Sequence, residues 1–401
     1  MRKSFTIVFT LLCAFSGCGR QELSYWEQPA PQILQTPKSF SMEKTIRAVW
    51  IPVMQYAEWM AGRTESDFRE SVRSAFLNCS DLGLNTVFLH VRAYQDAYYA
   101  SSIYPKGAYL TGDYDPLTIM IDEAHKAGLS AHAWINPLRG QTPEGFARTD
   151  SRYPLRQWYD DTAKNGTYLV CVNGRYWLNP AYAEVRQLCA DGVTEILEHY
   201  DVDGIHIDDY FYPTQDPAFD ADAFAASGSA DLGDFRRENC TQLVKALCDA
   251  VKSCNSDCIF SISPQGNQRI NYEALYADTA LWAGTPGYCD WMLPQLYYGF
   301  ANETCPFTET LENWEKLTTS ARLIPGLAPY KIGISDQWAG TGAEEWRTDP
   351  KVLSEETALL LSEEDAAGVA YYSYASLFEP DAQSAAWVEA ERTRIREMLS
   401  E

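Results

Sequence analysis

The sequence predicts an α/β protein built as a (β/α)8 TIM barrel with long loops at the C-terminal face of its sheet. Two observations carry this. First, one unit recurs eight times in 401 residues: a short run of β-branched or aromatic residues, a polar loop rich in Gly and Pro, then a longer stretch with apolar residues at helical spacing. Strands that alternate with helices demand a parallel sheet. Second, the loops that follow the strands are long and those that precede them are short, as when a barrel gathers a site at one rim. A doubly wound open sheet is the alternative, but no Gly-x-Gly-x-x-Gly turn follows a strand.

At the start of the chain, Arg2 and Lys3 precede an apolar run over 5–15 that is too short to span a bilayer, and Phe15-Ser16-Gly17-Cys18 follows. Residues 1–18 therefore read as an export signal of the bacterial lipoprotein type, with lipidation at Cys18; an ordinary signal cut nearby is the alternative. Residues 19–44, with Pro29, Pro31 and Pro37 among polar residues and no period, read as a tether. No later stretch approaches 18 apolar residues, so a lipid anchor is the expected membrane contact. The barrel is expected over 45–401. Its strands are predicted at 46–53, 85–92, 130–137, 203–210, 259–264, 290–298, 322–329 and 368–374. The helices are predicted at 65–82, 115–127, 181–200, 232–253, 272–282, 307–320, 354–366 and 380–399.

Composition limits the partner. With 55 acidic against 32 basic residues the formal charge is −23, which repels phosphate backbones and excludes nucleic acid. The 25 Tyr, 12 Trp and 16 Phe suit sugars, whose apolar faces stack on rings, and the overall charge favours neutral ligands. Of eleven cysteines, nine follow Cys18. An odd number cannot all pair, no Cys-x-x-Cys suggests zinc or redox work, and most read as small buried thiols. Cys254 with Cys258 or with Cys305 are the candidate bridges.

Alternation along 203–210 sends Ile205 and Ile207 toward the helices and His206 and Asp208 into the lumen, with Asp208 at the rim and Asp209 just beyond it. Two neighbouring carboxylates cost stability and are not needed for packing, so function explains them; loop fixing is the plain alternative for Asp209. The same alternation pairs His90 with Arg92, His132 with Trp134 and Asn136, Ser261 with Ser263, and Gln295 with Tyr297. The second loop carries Tyr94, Asp96, Tyr98, Tyr99 and Tyr104. The third, 138–179, carries Arg139, Trp158, Tyr159, Tyr168, Tyr176 and Trp177, some of which must plug the loop onto the barrel.

His90, His132 and His206 could in principle ligate zinc, but no His-x-His or His-x-x-Glu-His spacing supports a site, and neither metal nor other cofactor is expected. No Gly-x-Ser-x-Gly elbow is present. Carboxylate chemistry remains, and cleaving an acetal needs one acid for the leaving oxygen and one carboxylate to attack or to activate water. Asp208 fits the attacking role. Asp209 and Asp96 are the leading acids, with Asp336 and Glu379 on the seventh and eighth loops as outsiders. Arg92, Tyr94, Trp134, Asn136, Arg139, His206, Tyr210, Gln295 and Tyr297 are the expected substrate contacts.

Several runs then form a recognisable set. These are Arg47-Ala48-Val49-Trp50, Val91-Arg92 with Asp96-Ala97 and Tyr109-Leu110-Thr111-Gly112, His132-Ala133-Trp134-Ile135-Asn136-Pro137, Asp203 through Pro213, Ile262-Ser263-Pro264 with Gly266, and Pro294-Gln295-Leu296-Tyr297. Their order over 45–375 resembles the glycosyl-hydrolase-like family 10, which includes bacterial envelope lipoproteins. The resemblance implies a TIM-barrel glycosidase. One characterised relative cuts peptidoglycan glycan strands stripped of their peptides, so the expected substrate is a polysaccharide and the expected location the cell envelope, on the outer membrane or cell surface. Comparison with better-known barrel glycosidases places their nucleophile on Asp208. The chain departs from the family at Pro105-Lys106-Gly107, where a Pro-Trp-Ser run is usual, at Gln265 in place of a Phe, and at Asn179 in place of an Asp. Two readings compete with the hydrolase: a carbohydrate-binding barrel without turnover, and a metal-dependent deacetylase or amidohydrolase.

Overall fold

The structure is a computed structural model that describes residues 45–400. The proposed signal, Cys18 and the tether lie outside the described residues. Eight strand positions form one parallel sheet: β1 (Ile46–Ile51), β2 (Thr86–Arg92), β3 (Ser130–Ile135), β4 (Gly204–Ile207), β5 (Ile259–Ile262), β6 (Trp291–Met292), β7 in two halves (Arg322–Leu323 and Gly326–Leu327), and β8 (Gly368–Tyr371). The first half of β7 pairs with β6 and the second with β8, which pairs with β1, so the sheet closes on itself. This is the predicted barrel. Two predicted strands are shorter than expected because prolines at 294 and 325 have no N–H for the ladder. Single bridges from Gln295 to Gln265 and to Gly326 hold the gap.

Alternation divides the apolar residues as the pattern requires. Val49, Ile51, Val87, Leu89, Ala131, Ala133, Ile205 and Ile207 join the core between sheet and helices. Inside the barrel lies a second core of Ile46, Ala48, Trp50, Phe88, Trp134, Trp291, Leu293, Ile324 and Ala370. Burying each large apolar side chain contributes roughly 1.5–3 kcal/mol against leaving it in water. Of the helices, Glu65–Leu82 matches its predicted bounds because both ends are coded. Thr64 and Asp67 form a reciprocal capping box, and Gly83 closes the C-terminus at φ 92°. The predicted helix 272–282 is instead two short ones, Gln268–Glu273 and Thr279–Gly284.

The third loop, predicted irregular, contains a hairpin of Leu169–Val172 and Arg175–Leu178 joined by Asn173-Gly174. Asn173 at φ 50° and Gly174 at φ 75° supply the two left-handed residues of a tight hairpin turn. All nine cysteines among the described residues are free, so neither candidate bridge forms. Among the described residues no helix is long and apolar enough to cross a membrane.

Candidate active site

The floor of the site is the top of the barrel core. Trp50 Nε1 donates to His206 Nε2 at 2.9 Å, and His206 Nδ1 meets Ser261 Oγ at 2.8 Å, so both ring nitrogens are engaged within the barrel. His90 lies flat on Trp134, ring centroids 3.6 Å apart, and His132 stacks on Trp291 at 5.0 Å. Burial holds all three imidazoles below their ordinary pKa, His132 at about 4 and the other two well down, so they are neutral packing groups at pH 7. His206 and Asn136 are fully buried beneath the cleft and Trp134 nearly so, where they support its floor. Among the described residues no three His, Cys, Asp or Glu stand close enough to hold a metal.

Above this floor Asp208 and Asp209 extend from β4. Asp208 Oδ2 accepts from Trp134 Nε1 at 3.1 Å and Oδ1 accepts from the Tyr210 backbone N–H at 3.4 Å. Burial, followed by the neighbouring Asp209 charge, pushes its pKa well above the usual carboxylate range. Asp209 is also raised by burial, but side-chain amides of Gln265 and Gln295 hydrogen-bond it and oppose the rise. The pair therefore resists double ionisation, and the proton is better placed on Asp208. The attacking role expected of Asp208 requires the opposite placement of the proton. Burial raises both carboxyls; what separates them is the amide hydrogen bonds that Asp209 accepts from Gln265 and Gln295.

The walls come from the long loops. Arg139 lies over the rings of Tyr94 and Tyr210, at 4.6 and 4.1 Å, and Trp177 approaches Tyr210 at 6.1 Å. On the far side Tyr297 packs against Tyr330 and Tyr372, at 5.8 and 5.9 Å. Asp96 accepts from the Tyr94 N–H at 3.0 Å within the second loop, and burial raises its pKa. That loop is pinned by Gln95, which takes φ 57° and donates to the carbonyls of Asn136 and Pro137 at 2.9 and 2.7 Å. Asp336 is committed to an ion pair with Lys331 at 2.5 Å, and Glu379 accepts from Gln55 at 2.9 Å.

A further expected contact, besides the buried His206 and Asn136, is turned away from the cleft. Arg92 is fully buried outside the barrel, stacked 4.3 Å from the Tyr104 ring, against helix Ala183–His199. The ladder between β2 and β3 shifts register between His90 and Arg92, and this irregularity turns Arg92 to the helix side, where parity had sent it into the lumen. Gly192 completes the arrangement, since any Cβ there would strike the Arg92 guanidinium and the Tyr104 ring. Tyr98, Tyr99 and Tyr104 are likewise buried, and Phe146, Tyr159 and Tyr176 pack on one another, so many loop rings are plugs. Sequence reasoning missed Arg175, which lies over Tyr94 at 4.3 Å. The Asn-Gly turn before it was the available signal.

A closed parallel barrel with a rim carboxylate pair in a ring-lined cleft belongs with the glycoside hydrolases built on this fold. Two solved structures share the architecture: an alpha-L-fucosidase isoenzyme 2 from Paenibacillus thiaminolyticus (TM-score 0.56, 14% identity, 89% of this chain and 49% of that one) and the PgaB (BpsB) glycoside hydrolase domain from Bordetella bronchiseptica (TM-score 0.57, 13% identity, 88% and 99%). At such identities they show the fold alone. The family is fixed by sequence: residues 45–340 match the model of Glycosyl hydrolase-like 10, and the chain belongs to that family. Its relatives include glycosyl hydrolase YngK of Bacillus subtilis (strain 168), 30% identical over 327 residues, and glycosyl hydrolase DigH of Escherichia coli (strain K12), 29% identical over 339. The alignments cover 72% and 74% of this chain, and 62% and 77% of those proteins.

Proposed function

We propose that the chain is an exported glycoside hydrolase that cleaves a polysaccharide, with peptidoglycan glycan strands as the leading substrate, and that Asp208 and Asp209 do the chemistry. The observation that carries this reading is the pair itself, two buried neighbouring carboxylates with raised pKa at the end of β4. In the proposed reaction the protonated carboxyl, Asp208, gives its proton to the leaving oxygen. The ionised one, Asp209, held by Gln265 and Gln295, attacks the anomeric carbon or takes a proton from water. Export and acylation at Cys18 belong to the same proposal.

The test is a glycan screen with the wild type followed by variants. Asp208→Asn keeps shape but removes the titratable group, and kcat should fall by about 10³-fold or more with KM little changed. Asp209→Asn should lose a comparable amount. The variant lacking the acid should recover on substrates whose leaving group needs no proton, and by this reading that is Asp208→Asn. A folded Asp208→Asn protein with near-normal turnover would refute the assignment.

A further inference from the structure

The seventh loop, 328–351, runs from the C-terminal end of β7 to the helix Val352–Ser362. Along it Tyr330, Ile334 and Trp338 follow one another at intervals of four and are 41%, 43% and 80% exposed. A singly exposed apolar residue needs no explanation, but the first of these three is already a wall of the cleft. The Tyr330 ring meets Tyr297 at 5.8 Å and Tyr372 at 6.2 Å, edge-on in both cases. The same wall fixes the far end of the series. Lys331 Nζ donates to the Tyr297 carbonyl at 2.6 Å and to Asp336 Oδ2 at 2.5 Å, and Asp336 Oδ1 accepts the Trp338 N–H at 3.1 Å.

The backbone around the indole is pinned. Glu303 N–H donates to Ala339 O at 3.0 Å, and the Thr341 N–H donates back to Glu303 Oε2 at 3.0 Å. A Cβ on Gly342 would come within 2.1 Å of the Ala301 carbonyl, so the seventh loop lies directly on the sixth. Asp336 and Ala339 on either side of Trp338 are buried, whereas an indole at 80% exposure contributes little to packing and is not needed to hold the loop. What it suits follows from its surroundings. The exposed carboxylates of Glu303 and Glu344 belong to the same knot, accepting from the Thr341 N–H and from Ser335 Oγ, and the chain carries −23 overall. An anionic lipid surface is repelled by such a rim. A sugar ring matches it, because one apolar face stacks on the indole while its hydroxyls can donate to carboxylates.

We propose that Trp338 is the platform of an outlying subsite that stacks a neutral sugar away from the scissile bond, so that strands long enough to reach from the carboxylate pair to the seventh loop are held more tightly than short ones. This rests on the hydrolase reading for the identity of the polymer, though not for the test of the stacking. A contact so far from the reacting atoms is made equally before and during the reaction, so its effect falls on KM rather than kcat.

Binding to Asp208→Asn protein, chosen to slow cleavage, is measured by calorimetry with two polymers: peptide-free peptidoglycan strands and soluble glycol chitin. Each is used both as long strands and as short oligosaccharides. For at least one polymer the long form should bind about tenfold tighter than the short one. Trp338→Ala should bring that ratio toward one and Trp338→Phe should keep part of it, with circular dichroism confirming the fold. Leu77→Ala, which removes an exposed apolar side chain from the helix Glu65–Leu82, should leave the ratio where it was. Equal affinity for long and short forms, a preference that survives Trp338→Ala, or no binding of either polymer would overturn the subsite. So would binding to phosphatidylcholine vesicles that is lost in Trp338→Ala, since the indole would then be a membrane contact. Turnover of either polymer with a KM indifferent to Trp338 would leave the hydrolase reading standing without the subsite. Length-dependent binding that needs Trp338, without turnover of any glycan, would do the reverse.

Discussion

Asp208 is 6% exposed and shares its surroundings with a second carboxylate, so its ionised form is disfavoured in the folded chain and not in the unfolded one. Between its ordinary value of 3.8 and its raised value the native state holds a proton that the unfolded state has lost, so this group makes stability fall as pH rises. Asp208→Asn should therefore melt about 2 °C or more above the wild type at pH 7, and the difference should vanish as pH drops below 4. Equal melting temperatures at pH 7 would show that Asp208 carries no such strain. Gln265 acts on the other member of the pair. Its amide hydrogen-bonds Asp209 and opposes the upward shift caused by burial. Gln265→Phe removes a donor to a charged group, worth about 1.5–3 kcal/mol. The Asp209 pKa should rise further, and the acid limb of the pH–rate profile should move to higher pH with it. An unmoved limb would mean that Asp209 does not set it.

At the scale of elements, legibility followed how local the code was. The helix Glu65–Leu82 could be read to the residue because its capping box and Gly83 are contiguous signals, and β4 gave the right facing for Ile205, Ile207, His206 and Asp208 because nothing interrupts its period. Arg92 was misplaced because a register shift leaves no mark in alternation, and one slipped residue changes which face a side chain takes. The hairpin was legible but unread: Val172-Asn173-Gly174-Arg175 has the turn dipeptide between two β-prone runs. It also provides a test of whether the third loop is catalytic furniture or mere cover. Gly174 sits at φ 75°, where a β-branched side chain is strained by roughly 1–2 kcal/mol. Gly174→Val should disturb the turn that aims Arg175 over Tyr94, with kcat/KM falling about tenfold or more while the melting temperature moves by only a few degrees, since the hairpin lies outside the barrel sheet. Unchanged kinetics would remove the hairpin from the site.

For the whole molecule, eight repeated units were enough to specify a closed barrel, since a parallel sheet with helices between its strands has few other ways to bury every strand. What repetition could not supply was the inventory of the cleft, because Arg175, Gln265 and Tyr372 arrive there from elements far apart in sequence. The remaining whole-molecule question is where this barrel works. The described residues begin at Thr45, and the 26 residues after Cys18 bound the reach of a lipid-anchored barrel to about 90 Å even at full extension. An enzyme so held could act only on polymer lying near its membrane, whereas the same barrel released would sample any soluble glycan. If Cys18 carries the anchor, Cys18→Ser should move the protein from the membrane fraction to the soluble one while the purified barrel keeps its kcat, because Cys18 is no part of the proposed catalytic pair. Mass spectrometry of the wild-type N-terminus should find a diacylated or triacylated cysteine, as one chain alone gives only marginal binding. An unmodified terminus at another residue, with the protein still exported, would replace the anchored enzyme with a freely diffusing one.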